Sequence, residues 1–147
     1  MASLLVLSGS LLLSACSSGA TGGGPSTGKN AVGQITANWT AFFKGTTPAT
    51  EKASLLQNGS EFVSFIKAQA KTSTAKSVTV KVTKVKLTSR TTATVTYTIL
   101  LGGTPELSGS KGKAIFQNGK WKVSDSSFCA LLSLEGTASQ VKACAKS

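Results

Sequence analysis

Apolar residues fall at helical spacing in the first part of the chain. Ile35, Trp39, Phe42 and Phe43 stand at i, i+4, i+7 and i+8, which predicts a helix with one aromatic-rich face. Lys44-Gly45 should end it. Thr47-Pro48 reads as an N-cap followed by a first-turn proline, opening a short helix through Leu55-Leu56 that stops at Asn58-Gly59. Ser60 can cap a third helix, with Phe62, Phe65, Ile66 and Gln69 along one side. The period then changes to two. Val78, Val80 and Val82 alternate with Thr79, Lys81 and Thr83, after which Val85 and Leu87 continue out of phase. That slip predicts a β-bulge near Thr83-Lys84. A second strand places Ala93, Val95, Tyr97, Ile99 and Leu101 on one face and Thr92, Thr94, Thr96 and Thr98 on the other. Gly102-Gly103 ends it, and a looser stretch through Pro105 and Ser108-Gly109 follows.

Asn118-Gly119 is a strong hairpin signal. A two-residue turn there pairs Gln117 with Lys120, Phe116 with Trp121, Ile115 with Lys122 and Ala114 with Val123. Partners in a pair share a face. Ala114, Phe116, Trp121 and Val123 therefore point inward, and Lys113, Ile115, Lys120 and Lys122 point outward. Phe128, Leu131, Leu132 and Leu134 form a last apolar cluster, helical or irregular. Helices followed by an antiparallel meander predict an α+β domain, with the helices on one face of a curved sheet. The other face is Thr and Lys.

The N-terminal pattern is different. Leu4 to Leu13 reads LLVLSGSLLL, a mostly apolar run well short of the roughly 20 residues that a spanning helix needs. Leu13-Ser14-Ala15-Cys16 follows and resembles the bacterial lipobox. The resemblance implies a diacylglyceryl group on the Cys16 thiol, and two acyl chains give durable anchoring where one does not. Met1-Ala2-Ser3 lacks the basic residues usual before such a core. Ser17 to Asn30 is rich in Gly, Ser and Thr and reads as a flexible tether of about 20 Å. The expected organisation is a leader over 1–15, a lipidated cysteine and tether over 16–30, and one domain over 31–147. The expected location is the extracytoplasmic face of the cell membrane. Outside the cytoplasm Cys129 and Cys144 are expected to pair, with two free thiols as the alternative. Closing that loop could add roughly 3 kcal/mol.

Charge narrows the partners. The chain of 147 residues carries 16 Lys and Arg against 5 Asp and Glu, a net charge of +11, and it has no His. A solvated surface is the plain reading of such a balance. A functional reading looks to anionic lipid headgroups or acidic wall polymers. Export argues against nucleic acid. Lys81, Lys84, Lys86, Lys113, Lys120 and Lys122 are expected to share the outer sheet face and to make that contact.

Three stretches resemble one family: ITANWTAFFKGTTPATEKASLLQNG from Ile35, LTSRTTATVTYTILLGG from Leu87 and NGKWKVSDSSFCALLSLEG from Asn118. It is the C-terminal domain of the mycobacterial low-molecular-weight secreted antigens. The resemblance covers nearly the whole domain. It implies a cone-shaped fold like nuclear transport factor 2, with helices packed into a bent antiparallel sheet, and it brings no reaction with it.

Cones of this kind often enclose a pocket, and some are isomerases with a carboxylate base and a tyrosine in the oxyanion hole. The counterparts here are Asp125 and Tyr97, which read more simply as a turn residue and a core aromatic. Glu51 and Glu61 suit early helix turns. Ser124, Ser126 and Ser127 have no GxSxG setting and no base, so they read as turn residues. Asn38-Trp39-Thr40 and Asn58-Gly59-Ser60 match a glycosylation sequon that means little in a bacterial lipoprotein. No enzyme, cofactor or metal is expected. A binding module for an apolar ligand such as a lipid is expected instead, with Trp39, Phe43, Phe62, Tyr97, Phe116 and Trp121 as the pocket candidates.

Overall fold

The computed structural model describes residues 24, 25 and 27–146. The expected leader, Cys16 and most of the expected tether lie outside the described residues. Among those described, no helix is long and apolar enough to cross a membrane.

Helix α1, Gly28–Phe43, begins three residues ahead of the domain boundary expected at 31. It buries Ala31, Ile35, Trp39, Phe42 and Phe43, so the expected aromatic stripe reaches back one further turn. Helix α2, Ala49–Ser54, is shorter than expected, and its N-cap is Pro48 without a side-chain bond. Thr47 is buried, and its N–H donates to the Lys44 carbonyl at 3.0 Å. A 3-10 turn, Gly59–Phe62, leads into α3, Val63–Gln69, so Ser60 lies inside that turn and caps nothing. A short α4, Ser73–Lys76, was not expected. Its N-cap is Thr72, whose hydroxyl accepts from the Ala75 N–H.

Four antiparallel strands follow in the order β1-β2-β3-β4, curled into a half-barrel. They are β1 Val78–Leu87, β2 Thr92–Leu101, β3 Thr104–Gln117 and β4 Lys120–Val123. The register of β1 on β2 shifts between Val82 and Lys84, where the phase slip placed the bulge. The β3–β4 pairs are those that the Asn118-Gly119 turn dictates. Both turn residues have positive φ, 53° and 75°, as a primed two-residue turn requires. The looser stretch after Gly103 is in fact the first half of β3. Its Pro and Gly hide the strand pattern, and two register shifts between Tyr97 and Leu100 absorb the irregularity.

The second predicted helix ends early, with Leu55 as its C-cap and the chain beyond it turned onto β4. Leu56 forms a parallel bridge to Val123. Gln57 N–H donates to the Val123 carbonyl, and Val123 N–H donates to the Leu55 carbonyl. The short β4 would otherwise present an unpaired edge, and this segment covers it. Helix α5, Asp125–Leu134, closes the fold, with the Ser124 hydroxyl accepting from the Ser127 N–H as its N-cap. Leu134 is 74% exposed, so it leaves the apolar cluster to Phe128, Leu131 and Leu132. Cys129 and Cys144 are disulfide-bonded, with Cα atoms 5.4 Å apart. The bond ties the C-terminal 3-10 turn, Lys142–Lys146, to α5.

The core lies between α1 and the concave sheet face. Trp39 packs against Tyr97 with ring centroids 5.4 Å apart, and Phe43 stacks on Tyr97 at 5.5 Å. The Asn38 amide donates to the Trp121 carbonyl at 2.8 Å, fixing α1 to β4. Gly112 of β3 is open to close approach: a Cβ there would stand 2.8 Å from two atoms of the Trp39 ring.

Two outcomes follow from this core. Gly112→Ala should destabilise the domain by about 1–3 kcal/mol through overpacking against Trp39. Urea unfolding measures it, and an unchanged midpoint would show that the indole is not held there. Tyr97 is the chain's single tyrosine, and burial pushes its phenol from 10.0 up to about 12. Its contribution to stability is complete below pH 10 and is lost as pH rises towards 12, because the unfolded chain releases the proton first. Tyrosinate absorbance should therefore titrate near 12 in the folded chain and about 10 in urea. A folded midpoint near 10 would mean that the ring is solvated.

Candidate functional site

Helices α1, α2, α3 and α5 do not close completely over the sheet. A cavity of about 550 Å³ remains between them, within the size range of small-ligand sites. The end of α1 contributes Phe42 and Phe43, and α3 contributes Phe65, Ile66 and Gln69. Val78 and Ile99 supply the floor from β1 and β2, and α5 contributes Phe128, Leu131 and Leu132. Phe128 is the hub of the aromatic wall. Its ring lies edge-on to Phe42 at 5.4 Å and to Phe62 at 5.5 Å, with Phe65 at 6.3 Å. Phe65, Val78, Ile99, Phe128 and Leu131 are apolar side chains of this lining that are only half-buried. Their unburied apolar surface is what a ligand could cover.

Two charged residues join the lining, Lys52 of α2 and Glu135 at the end of α5. Burial lowers the pKa of the half-buried Lys52 ammonium, and burial is the sole cause. Glu135 is exposed and does not act on Lys52 as a partner charge.

The pocket expected from the sequence is therefore corrected. Of its six residues only Phe43 lines the cavity. Trp39, Phe62, Tyr97 and Trp121 are each 1% exposed and fill the core. Phe116 is half-buried beside Trp121 at the hairpin, 5.5 Å between centroids, and does not reach the cavity. Aromatic identity could not separate these roles, because core and lining both use it. The apolar run of α5 was visible in the sequence, but not that one of its faces would border a void. Lys52 gave no signal at all.

The strand register places Lys81, Lys84, Lys86, Lys113, Lys120 and Lys122 on one face, together with Lys111. Lys81, Lys84 and Lys86 pair with Thr98, Thr96 and Thr94. Thr94 and Thr96 pair in turn with Lys113 and Lys111. Lys122 and Lys120 lie opposite Ile115 and Gln117 on the same face. Seven lysines thus share the convex surface, in rungs such as Lys86–Thr94–Lys113 and Lys84–Thr96–Lys111. Lys111 was overlooked because it stands in the part of β3 whose alternation is broken by glycines. Burial, and then the neighbouring Lys120 charge, lower the pKa of Lys122.

The groups considered for catalysis are engaged structurally. Ser124 is buried, and its hydroxyl donates to Ser127 Oγ at 2.8 Å. Ser127 Oγ also accepts from the Lys113 N–H at 2.7 Å. Asp125 Oδ2 accepts from the Asn58 amide at 2.9 Å, and its Oδ1 accepts from the Ser126 N–H. Glu51 and Glu61 stand in first turns, as expected. Among the described residues there is no group of His, Cys, Asp and Glu that could hold a metal ion.

No curated protein matches the chain. The family model described as low molecular weight antigen MTB12, C-terminal domain, matches residues 29–139, from the first turn of α1 to the turn after α5. The match covers both faces of the sheet and every helix that borders the cavity, so the chain belongs to the family of low molecular weight antigen MTB12 C-terminal domains.

Proposed function

We propose that this chain is an exported binding protein, held at the outer face of the cytoplasmic membrane by a lipid on Cys16, which carries an apolar ligand in the cavity beneath its helices. The observation that carries the reading is the cavity itself: about 550 Å³, with a wall of half-buried aromatic and aliphatic side chains. Membership of an antigen family supports export. The lipobox-like Leu13-Ser14-Ala15-Cys16 supports the anchor, and the glycine-rich segment behind it would let the domain reach away from the membrane. A binding role without a reaction fits the commitment of Ser124, Ser127 and Asp125 to caps and turns.

Native mass spectrometry of the protein isolated from its own membranes tests both parts. A diacylglyceryl mass that vanishes in Cys16→Ser is expected, together with a second mass that leaves on solvent extraction. A mature chain without the first refutes the anchor, and one without the second refutes the carrier.

A second reading has its own observation. The sheet register brings seven lysines to one convex face, a surface fit for anionic lipid or an acidic wall polymer. Binding to vesicles that contain anionic lipid should weaken steeply from low to physiological salt. It should also weaken in the triple variant Lys84→Gln, Lys111→Gln, Lys113→Gln. Salt-independent binding, or an unaffected triple variant, would remove the lysine face from the account.

A further inference from the structure

The cavity has an electrostatic asymmetry that an apolar cargo alone does not explain. Among the described residues its one cation, Lys52, is half-buried on α2. Taking an ammonium partly out of water is unfavourable unless a counter-charge offsets the loss. Glu135, the one carboxylate on the lining, does not supply it. The rest of the wall is largely aromatic and aliphatic. The site therefore sets a half-buried positive point, Lys52, beside an apolar body, with its one carboxylate, Glu135, exposed to solvent, and the half-buried part is the complement of an anionic amphiphile. Its volume suits one chain. At about 30 Å³ for each water-sized group, 550 Å³ holds on the order of 18 methylene-like groups, enough to seat one acyl chain.

Resting on the carrier reading above, we propose that the cavity takes a single-chain fatty carboxylate, with its head on the Lys52 ammonium and its tail among Phe42, Phe65, Ile99, Phe128 and Leu131. The carboxylate supplies the counter-charge that the fold lacks at this point. It would raise the ammonium's pKa back from its burial-lowered value, so binding should take up protons where free Lys52 is partly neutral. The tail covers the apolar surface that the helices leave open. Head and tail then make separable contributions, one from charge and one from area.

Titration calorimetry separates them, with the purified full chain and two ligands of equal chain length, dodecanoate and dodecan-1-ol. The unsubstituted chain should bind dodecanoate at least about tenfold more tightly, as one charge-assisted contact implies. Lys52→Met should remove that preference and leave the alcohol's affinity unchanged, whereas Lys52→Arg should retain it. Equal affinities in the unsubstituted chain, or a preference that survives Lys52→Met, overturn the head assignment and leave the carrier reading intact. Failure of both ligands to bind overturns both readings. The triple lysine variant of the sheet should keep the preference. If the preference disappears there instead, the carboxylate is bound at the convex face and the proposal is wrong.

Discussion

The seating of Trp39 on the backbone of β3 is the contact on which the rest of the domain depends. Gly112 presents no side chain toward the helix, so the indole can lie directly against the strand. Its position sets the height of α1 above the sheet. Phe43, one turn on, then stacks on Tyr97, and Asn38 reaches the Trp121 carbonyl. The contact has a cost. The indole N–H groups of Trp39 and Trp121 are buried without an acceptor, at about 1–3 kcal/mol each. Burying a tryptophan removes roughly 150–250 Å² from water. At about 25 cal/mol per Å² that is worth some 4–6 kcal/mol as an upper estimate, so each ring remains net stabilising.

What the sequence disclosed, and what it hid, follows from the range of the forces involved. The hairpin at Asn118-Gly119 was legible to the residue, because two positive-φ positions and alternating side chains fix register locally. The bulge after Val82 was legible as a change of phase. The first half of β3 was not, since its strand character comes from pairing with β2 and not from its own Pro, Gly and Ser. The same holds for Leu56 and Gln57, where the helical expectation lost to the open edge of β4. The cavity was the least legible feature. Phe42 and Trp39 sit three residues apart on one helix face, yet one borders the void and the other is sealed in the core. Only the relative placement of α3 and α5 decides between them, and no local pattern encodes that.

The sheet keeps two chemistries apart. Its concave side carries Val95, Tyr97, Ala114 and Trp121 into the core, and its convex side carries threonine and lysine. Strands lie about 4.8 Å apart, so the threonine column of β2 separates the lysines of β1 and β3 by nearly 10 Å. That is close to the screening length at physiological salt, roughly 8 Å. Repulsion across the rungs is therefore weak, whereas the Lys120 charge, two positions away on the same strand, adds to burial in lowering the pKa of Lys122. A face built in this way tolerates its charge without help from a partner. The lysine rows are thus compatible with a plain solvated surface, and the fold itself does not require a polyanion.

The cavity is a different matter, because its geometry is held in place. Helix α5 forms one wall and is fixed twice within its first half. Ser124 caps it and links through Ser127 to the backbone of Lys113 on β3. Cys129 then bonds to Cys144, which draws the C-terminal turn under the helix. Phe128 lies between these two anchors, and Leu131 and Leu132 follow within one turn. A wall free to move inward would collapse onto Phe65 and Ile99 and bury their remaining apolar surface, as cores ordinarily do. Anchoring of its first turn to β3 opposes that collapse. The side of the pocket that α5 forms is thereby held by specific hydrogen-bonded contacts, which is what the binding reading proposed above requires.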